Sequence, residues 1–327
     1  MGISHYIKEI GRGKDGARPL KREQAADLLG QVLDGTVSDL EVGAFCLAMR
    51  IKGETPEEMA GFLDAVHQRL AHIPPHRDNT PTVVLPSYNG ARKLPLLTPL
   101  LGLLLAREGL GVLIHGTPTE SSRIFVSEVL QAMGLIAMSA IESIAPGQLA
   151  FAPTELLSPA LKRLLDVRRM VGLRNPAHSL VKIMNPCVGS RLVVSSYTHP
   201  EYAIAMAQTF ELTRANALLL RGTEGEVVAD ARRMPQMEAF IQGHRTLLQE
   251  TQPGTLAALP DLPKTTDAAS TAAYTRAVLA GEQAVPPSIA RQVEHILRLV
   301  AYSAQLAPLA PSAPSAPTQD DAALSLV

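Results

Sequence analysis

Between residues 82 and 133 the sequence changes period twice in the same way. A β-branched run, Thr82-Val83-Val84-Leu85, gives way to a turn, Pro86-Ser87-Tyr88-Asn89-Gly90-Ala91-Arg92-Lys93, and then to an apolar helical pattern over Pro95–Glu108. A second run, Gly111-Val112-Leu113-Ile114, is followed by a helical pattern over Ser122–Met133 that Gly134 ends. Strand and helix alternating at this spacing predict βαβ units and a parallel sheet. The turn lies where an α/β protein points a helix N-terminus at an anion. Yet it has one glycine, a bulky Tyr88 where a backbone would approach a diphosphate, and two cations, Arg92 and Lys93. An altered anion site and an ordinary strand-to-helix turn both fit these residues.

The preceding residues have a different character. Lys21–Leu33 carries apolar side chains at helical spacing and stops before Gly35. Ser38 and Glu41 form a capping box ahead of a second helix. Thr55, Pro56 and Glu58 cap a third, with Met59, Phe62, Leu63, Val66 and Leu70 on one stripe. Ile73–Arg77 reads as a linker. Further strands are expected over Leu149–Ala152, Arg191–Ser196 and Ala217–Leu220, helices over Glu201–Leu212 and Ile289–Gln305, and a loop over Pro253–Asp267. The fold expectation is a small all-helical domain, residues 1–75 completed by about 160–185, against an α/β domain, residues 80–305, with a mainly parallel central sheet. Residues 306–327, with their Ala-Pro-Ser repetition, read as a flexible tail.

The 327 residues carry a net charge of −1, and 46% are apolar. No run approaches the roughly 18 apolar residues of a membrane span, and Met1–Ile10 lacks the pattern of a secretory signal. Two cysteines, Cys46 and Cys187, are too few for a disulfide framework or a zinc site, so a cytoplasmic location is expected. The near-zero charge argues against a nucleic-acid binder unless the charge is unevenly placed. It is: Ser158–Arg191 holds seven cations (Lys162, Arg163, Arg168, Arg169, Arg174, Lys182, Arg191) and one acid, Asp166, a local balance of +6.

Three capped helices, strand, loop, helix, strand, His-Gly, helix: in this order the chain resembles the anthranilate phosphoribosyltransferase family, over roughly residues 5 to 300, and within it the divergent YbiB-type branch. The strings that carry the resemblance are Ile10-Gly11-Arg12-Gly13, Arg50-Ile51-Lys52-Gly53-Glu54, Pro86–Lys93, His115-Gly116, Gly172-Leu173-Arg174-Asn175, Ser179, His199-Pro200-Glu201-Tyr202 and Arg221-Gly222-Thr223-Glu224-Gly225-Glu226. The family cradles phosphoribosyl diphosphate in a glycine-rich loop. Here Ser87, Tyr88, Asn89 and Gly90 stand in its place, and with His115 and Gly116 they form a degenerate version of that site. A family Lys-His-Gly-Asn-Arg motif reads Ile114-His115-Gly116-Thr117-Pro118, so two cations that would hold a diphosphate are missing, although Arg123 falls near a later family lysine. His115 alone also fits a structural role. Arg168 matches the arginine of the family's aromatic-acid pocket, whose surroundings are rebuilt with Ser158, His178 and Val181-Lys182-Ile183. The family's magnesium-holding Asp-Glu pair falls on Val227-Val228. Glu224 and Glu226 are conceivable substitutes, but alternating positions on a turn are expected to point to different sides.

Two functions follow. The first is sequence-non-specific binding of DNA and RNA through a positive interdomain cleft, without catalytic residues, metal or other cofactor, using Lys162, Arg163, Arg168, Arg169, Arg174, Lys182, Arg92, Lys93 and Arg123. Tyr88, Tyr197 and Tyr202 would be its stacking platforms. The YbiB-type resemblance implies the same activity in a homodimer with no membrane attachment. The alternative is an active pentosyltransferase with an altered substrate, which would use phosphoribosyl diphosphate and magnesium.

Overall fold

The computed structural model of the chain describes residues 2–13 and 15–306. The expected tail after Leu306 lies outside the described residues. The N-terminal unit consists of α1 (Ser4–Ile10), α2 (Arg22–Leu33), α3 (Asp39–Lys52) and α4 (Pro56–His67). The first of these was not foreseen. At seven residues it is too short for a periodic signal, and it is fixed instead by burial of Ile3 and Ile10 at its two ends. Both expected capping boxes form. Ser38 N–H donates to Glu41 Oε2 at 2.9 Å, and Thr55 N–H donates to Glu58 Oε2 at 2.9 Å. Glu58 does more than cap. It is fully buried, accepts Leu20 N–H at 2.9 Å and pairs with Lys52 Nζ at 2.6 Å, so one carboxylate fastens the α3–α4 turn to the chain before α2.

The sheet begins with β1 (Thr82–Ser87), followed by α5 (Thr98–Arg107), β2 (Gly111–Gly116), α6 (Val126–Ala132) and β3 (Leu149–Pro153). α5 starts three residues later than the pattern predicts, with Pro99 in its first turn, where a missing N–H costs nothing. Three helices, α7 (Thr154–Leu157), α8 (Pro159–Val171) and α9 (Ala177–Leu180), then return to the N-terminal unit. Leu161, Leu164, Leu165 and Leu180 share one core cluster with Leu28, Phe45 and Phe62. Ser158 caps α8, accepting Leu161 N–H at 3.1 Å, and Gly172 ends it at φ 76°.

The chain re-enters the sheet as β4 (Arg191–Tyr197), α10 (Pro200–Leu212) and β5 (Ala217–Arg221), and adds β6 (Met237–Ile241) and β7 (His244–Gln249). The seven strands lie in the order β3-β2-β1-β4-β5-β6-β7. β1 to β5 are parallel; β6 and β7 are an antiparallel hairpin that the sequence reading missed. α11 (Ala268–Leu279) and α12 (Pro287–Leu306) close the described chain. Side chains alternate across the sheet as period two requires. Val84, Leu113, Val193 and Leu219 join the helical unit's core, while Val83, Leu85, Val112, Ile114, Leu218 and Leu220 pack with Leu100, Leu101, Val129 and Ile296 on the other face. The expected class, a helical unit plus an α/β unit with a mainly parallel sheet, describes this molecule.

Candidate functional site

Strand order reverses between β1 and β4, and a crevice forms outside the carboxyl ends of strands at such a point. A cavity of about 510 Å³ opens there. Its walls are the end of α3 and the turn to α4, the 174–183 segment, and the end of β4 running into α10. Arg50, Lys52, Arg174 and Lys182 line it, against two acids, Glu54 and Glu201. Lys52 is held by Glu58. Among the described residues no carboxylate lies within ion-pair distance of Arg50, Arg174 or Lys182. Lys182 Nζ donates to the Gly225 carbonyl at 3.1 Å. Burial lowers the Lys182 pKa to about 8, an effect that the nearby Glu226 partly opposes. Burial, and then the charges of Arg168 and Arg123, hold Arg174 below the ordinary arginine value. His178 also lines the cavity. Burial and then Arg174 lower its pKa to about 4, so the ring is neutral at pH 7, and its buried Nε2 has no hydrogen-bond partner.

The other expected cations are less available. Glu120, which the sequence reading did not single out, pairs with Arg123 and, at 2.6 Å, with Arg168. Burial pushes the Glu120 pKa up, but the two guanidinium groups outweigh it and hold the carboxyl below its ordinary value. Asp166 pairs with Lys162 and lies 3.5 Å from Arg169. Arg163, Arg92 and Lys93 are exposed but do not line the cavity. The local balance of +6 is therefore reduced by an acid from outside the counted segment.

The turn after β1 holds an anion of the chain's own. Asn89 N–H and Gly90 N–H each donate to Glu226 Oε1 at 2.8 Å, and Ser87 Oγ and Thr98 Oγ1 donate to Oε2. Arg92, Lys93 and Leu94 N–H converge on Glu224 Oε2 at 2.8, 3.1 and 3.3 Å. Glu224 and Glu226 were expected to point to different sides. Both reach the same loop, because Glu224 adopts φ 52°, ψ 20° and the chain turns sharply there. The fit is close: a Cβ on Gly225 would lie 1.9 Å from Asn89 Nδ2.

Tyr88 cannot act as a stacking platform. It is 4% exposed, with its hydroxyl accepting from Thr154 Oγ1 at 3.0 Å and lying 2.8 Å from His115 Nδ1. The other ring nitrogen, Nε2, is buried with no hydrogen-bond partner among the described residues. His115 is fully buried, its pKa lowered to about 3 by that burial, so it is a neutral part of the floor. Gly116 allows β2 to approach β1: a Cβ there would lie 2.0 Å from the Ser87 carbonyl oxygen. Tyr197 and Tyr202 do line the cavity, Tyr202 being 42% exposed.

At the positions where the resemblance places the family's magnesium-holding pair, this chain has no carboxylate. Val227 and Val228 are 1% exposed and belong to the core, and the carboxylates of Glu224 and Glu226 are engaged by backbone N–H groups. Among the described residues no group of three or more His, Cys, Asp and Glu side chains is placed to hold a metal.

The molecule is a helical-bundle unit set against a mainly parallel sheet, with a crevice at the strand-order reversal. Residues 4–69 match the family model described as the glycosyl transferase family, helical bundle domain. The chain is 38% identical over 298 residues to the uncharacterized protein YbiB of Escherichia coli K12, covering 90% of this chain and 92% of that one. It is 32% identical to the anthranilate phosphoribosyltransferase of Methanosarcina acetivorans, covering 68% of this chain and 60% of that one. The crystal structure of the Thermus thermophilus enzyme superposes with a TM-score of 0.68 at 23% identity, covering 93% of this chain and 90% of that one. The Saccharomyces cerevisiae enzyme in complex with PRPP and Mg superposes with a TM-score of 0.65 at 12% identity, covering 92% and 89%. Both share the fold. The chain belongs to the anthranilate phosphoribosyltransferase family, on the divergent branch of YbiB.

Proposed function

We propose that this protein binds DNA and RNA without sequence specificity through the interdomain crevice, and that it is not an enzyme. The observation that carries this reading is the charge of the crevice wall: Arg50, Arg174 and Lys182 face a common cavity with no carboxylate partner. Cations without an ion-pair partner among the described residues favour a polyanion, whose bound counterions they release. Tyr197 and Tyr202 at the same cavity supply faces for bases. Exposed Leu40, Leu47 and Ile51 along α3 support assembly as a homodimer through the helical unit. A cytoplasmic location belongs to the same proposal.

The family likeness supports the second reading, a pentosyltransferase using phosphoribosyl diphosphate. The valines at the metal-pair positions weigh against it. Fluorescence anisotropy of a labelled random oligonucleotide at two salt concentrations tests the first reading. The expected result is binding at low salt that weakens steeply with added salt and ignores sequence. No binding at low salt overturns it. Turnover of phosphoribosyl diphosphate with magnesium would establish the second.

A further inference from the structure

The loop between β1 and α5 offers two groups of converging donors. The inner group is Ser87 Oγ, Asn89 N–H, Gly90 N–H and Thr98 Oγ1; the outer is three successive N–H groups, Arg92 to Leu94. Successive amides that converge in this way form a nest for an oxyanion. Each nest is filled by a carboxylate, and the two carboxylates are two residues apart on one turn.

The turn is built to hold them there. Thr223 N–H donates to the Val228 carbonyl at 2.9 Å, and Asn89 Nδ2 donates to the Glu224 carbonyl at 2.9 Å. The fully buried Gln292 of α12 clamps the far side, its Nε2 donating to Val227 O at 2.7 Å and its Oε1 accepting from Ala229 N–H at 2.8 Å. A Cβ on Gly222 would lie 1.7 Å from the Glu226 carbonyl oxygen, so the turn has no room for a larger residue at that position.

We propose that Glu224 and Glu226 are an intramolecular stand-in for a diphosphate, masking an oxyanion site that the loop would otherwise present. Two carboxylates held in adjacent groups of donors present two anionic acceptors to the loop, as two linked phosphoryl groups would. The mask keeps free diphosphates out of the loop and leaves phosphates to the crevice cations. This goes beyond nucleic-acid binding and does not depend on it, because the donors are loop amides and hydroxyls rather than the crevice cations.

The test is titration of inorganic pyrophosphate, without metal, into the full chain and its variants by calorimetry. Glu226 is 1% exposed, so the half-buried Glu224 is the first to change. The wild type is expected to show no binding up to about 1 mM, and Glu224→Ala to bind at least about tenfold more tightly. Hydrogen exchange gives a second readout. The Arg92, Lys93 and Leu94 amides lose protection in Glu224→Ala and regain it with pyrophosphate. Glu226→Ala, judged folded by circular dichroism, should show the same gain at Asn89 and Gly90. Wild-type binding as tight as that of the variants overturns the proposal. So does a folded Glu224→Ala protein whose three amides stay protected without ligand, or one that gains no affinity. Arg174→Ala in the Glu224→Ala background leaves the pyrophosphate response in place, which separates this result from the oligonucleotide experiment.

Discussion

Arg168 Nη2 lies 2.6 Å from Glu120 Oε2, joining positions 48 residues apart and drawing one of the crevice-side cations away from solvent anions. The same carboxylate holds Arg123. Glu120→Gln releases both guanidinium groups. Oligonucleotide affinity should rise a few-fold, and the salt slope should steepen by about 0.9 for each added phosphate contact. The stability loss should stay near 1 kcal/mol, as for partly exposed pairs. Anisotropy against salt and urea denaturation measure the two effects; weaker binding would show that the ion pair positions Arg168 for the ligand instead of withholding it.

Arg174→Ala removes an unpaired cation from the cavity wall. Affinity for all sequences should fall alike, by about tenfold for a loss of about 1.4 kcal/mol, with the slope reduced by about 0.9. Arg169→Ala should change less, because its guanidinium already faces Asp166 at 3.5 Å. A larger effect from Arg169 would move the binding surface to the outer face of α8.

Lys182 makes binding depend on pH. Its pKa is lowered from 10.5 to about 8 in the folded chain, so it is charged at pH 7 and mostly neutral at pH 9. Affinity for a polyanion should therefore fall as pH rises through 8, and Lys182→Met should flatten that profile. The sign for stability is opposite. The unfolded chain binds more protons than the folded one between about 8 and 10.5, so this group adds stability as pH rises across that window. Equilibrium denaturation at pH 7.5 and 9.5, wild type against Lys182→Met, checks the direction.

Glu58→Ala leaves Lys52, 8% exposed, without its partner, and strips acceptors from Leu20 and Thr55. Breaking a buried pair from one side costs about 3–5 kcal/mol. Urea midpoints should show a loss of that order, with Glu58→Gln between it and the wild type. A loss below about 1 kcal/mol would mean that water reaches Lys52.

The parts of the fold legible in the sequence are those with local causes. Thr55, Pro56 and Glu58 announce α4 within four residues, and β1 to β5 are read from short apolar runs bounded by turns. The β6–β7 hairpin was missed because its turn, Gln242-Gly243, has φ 51° and 83°, and glutamine is not the usual residue at the first of these positions. Of the cavity's cations the sequence reading named Arg174 and Lys182 as binding residues but not Arg50, and it did not see the partners of the other expected cations. Glu120 reaches Arg168 across 48 residues, and Glu226 reaches Gly90 across 136, and no local pattern encodes either contact. Tyr88 was named as a stacking platform, and the structure buries it. Thr154, just after β3, and His115, at the end of β2, hold its hydroxyl inward from 66 and 27 residues away.

The 136 residues between Gly90 and Glu226 also set an order in time. A ribosome adding about 5–20 residues per second completes the loop after β1 roughly 7–30 s before it delivers the carboxylate that fills it. Gln292, which clamps the turn, comes later still. During that interval the loop's amides have only solvent and passing anions to satisfy them. The loop after β1 is therefore among the last parts of the molecule to mature, and a nascent chain halted before α12 carries it without its clamp.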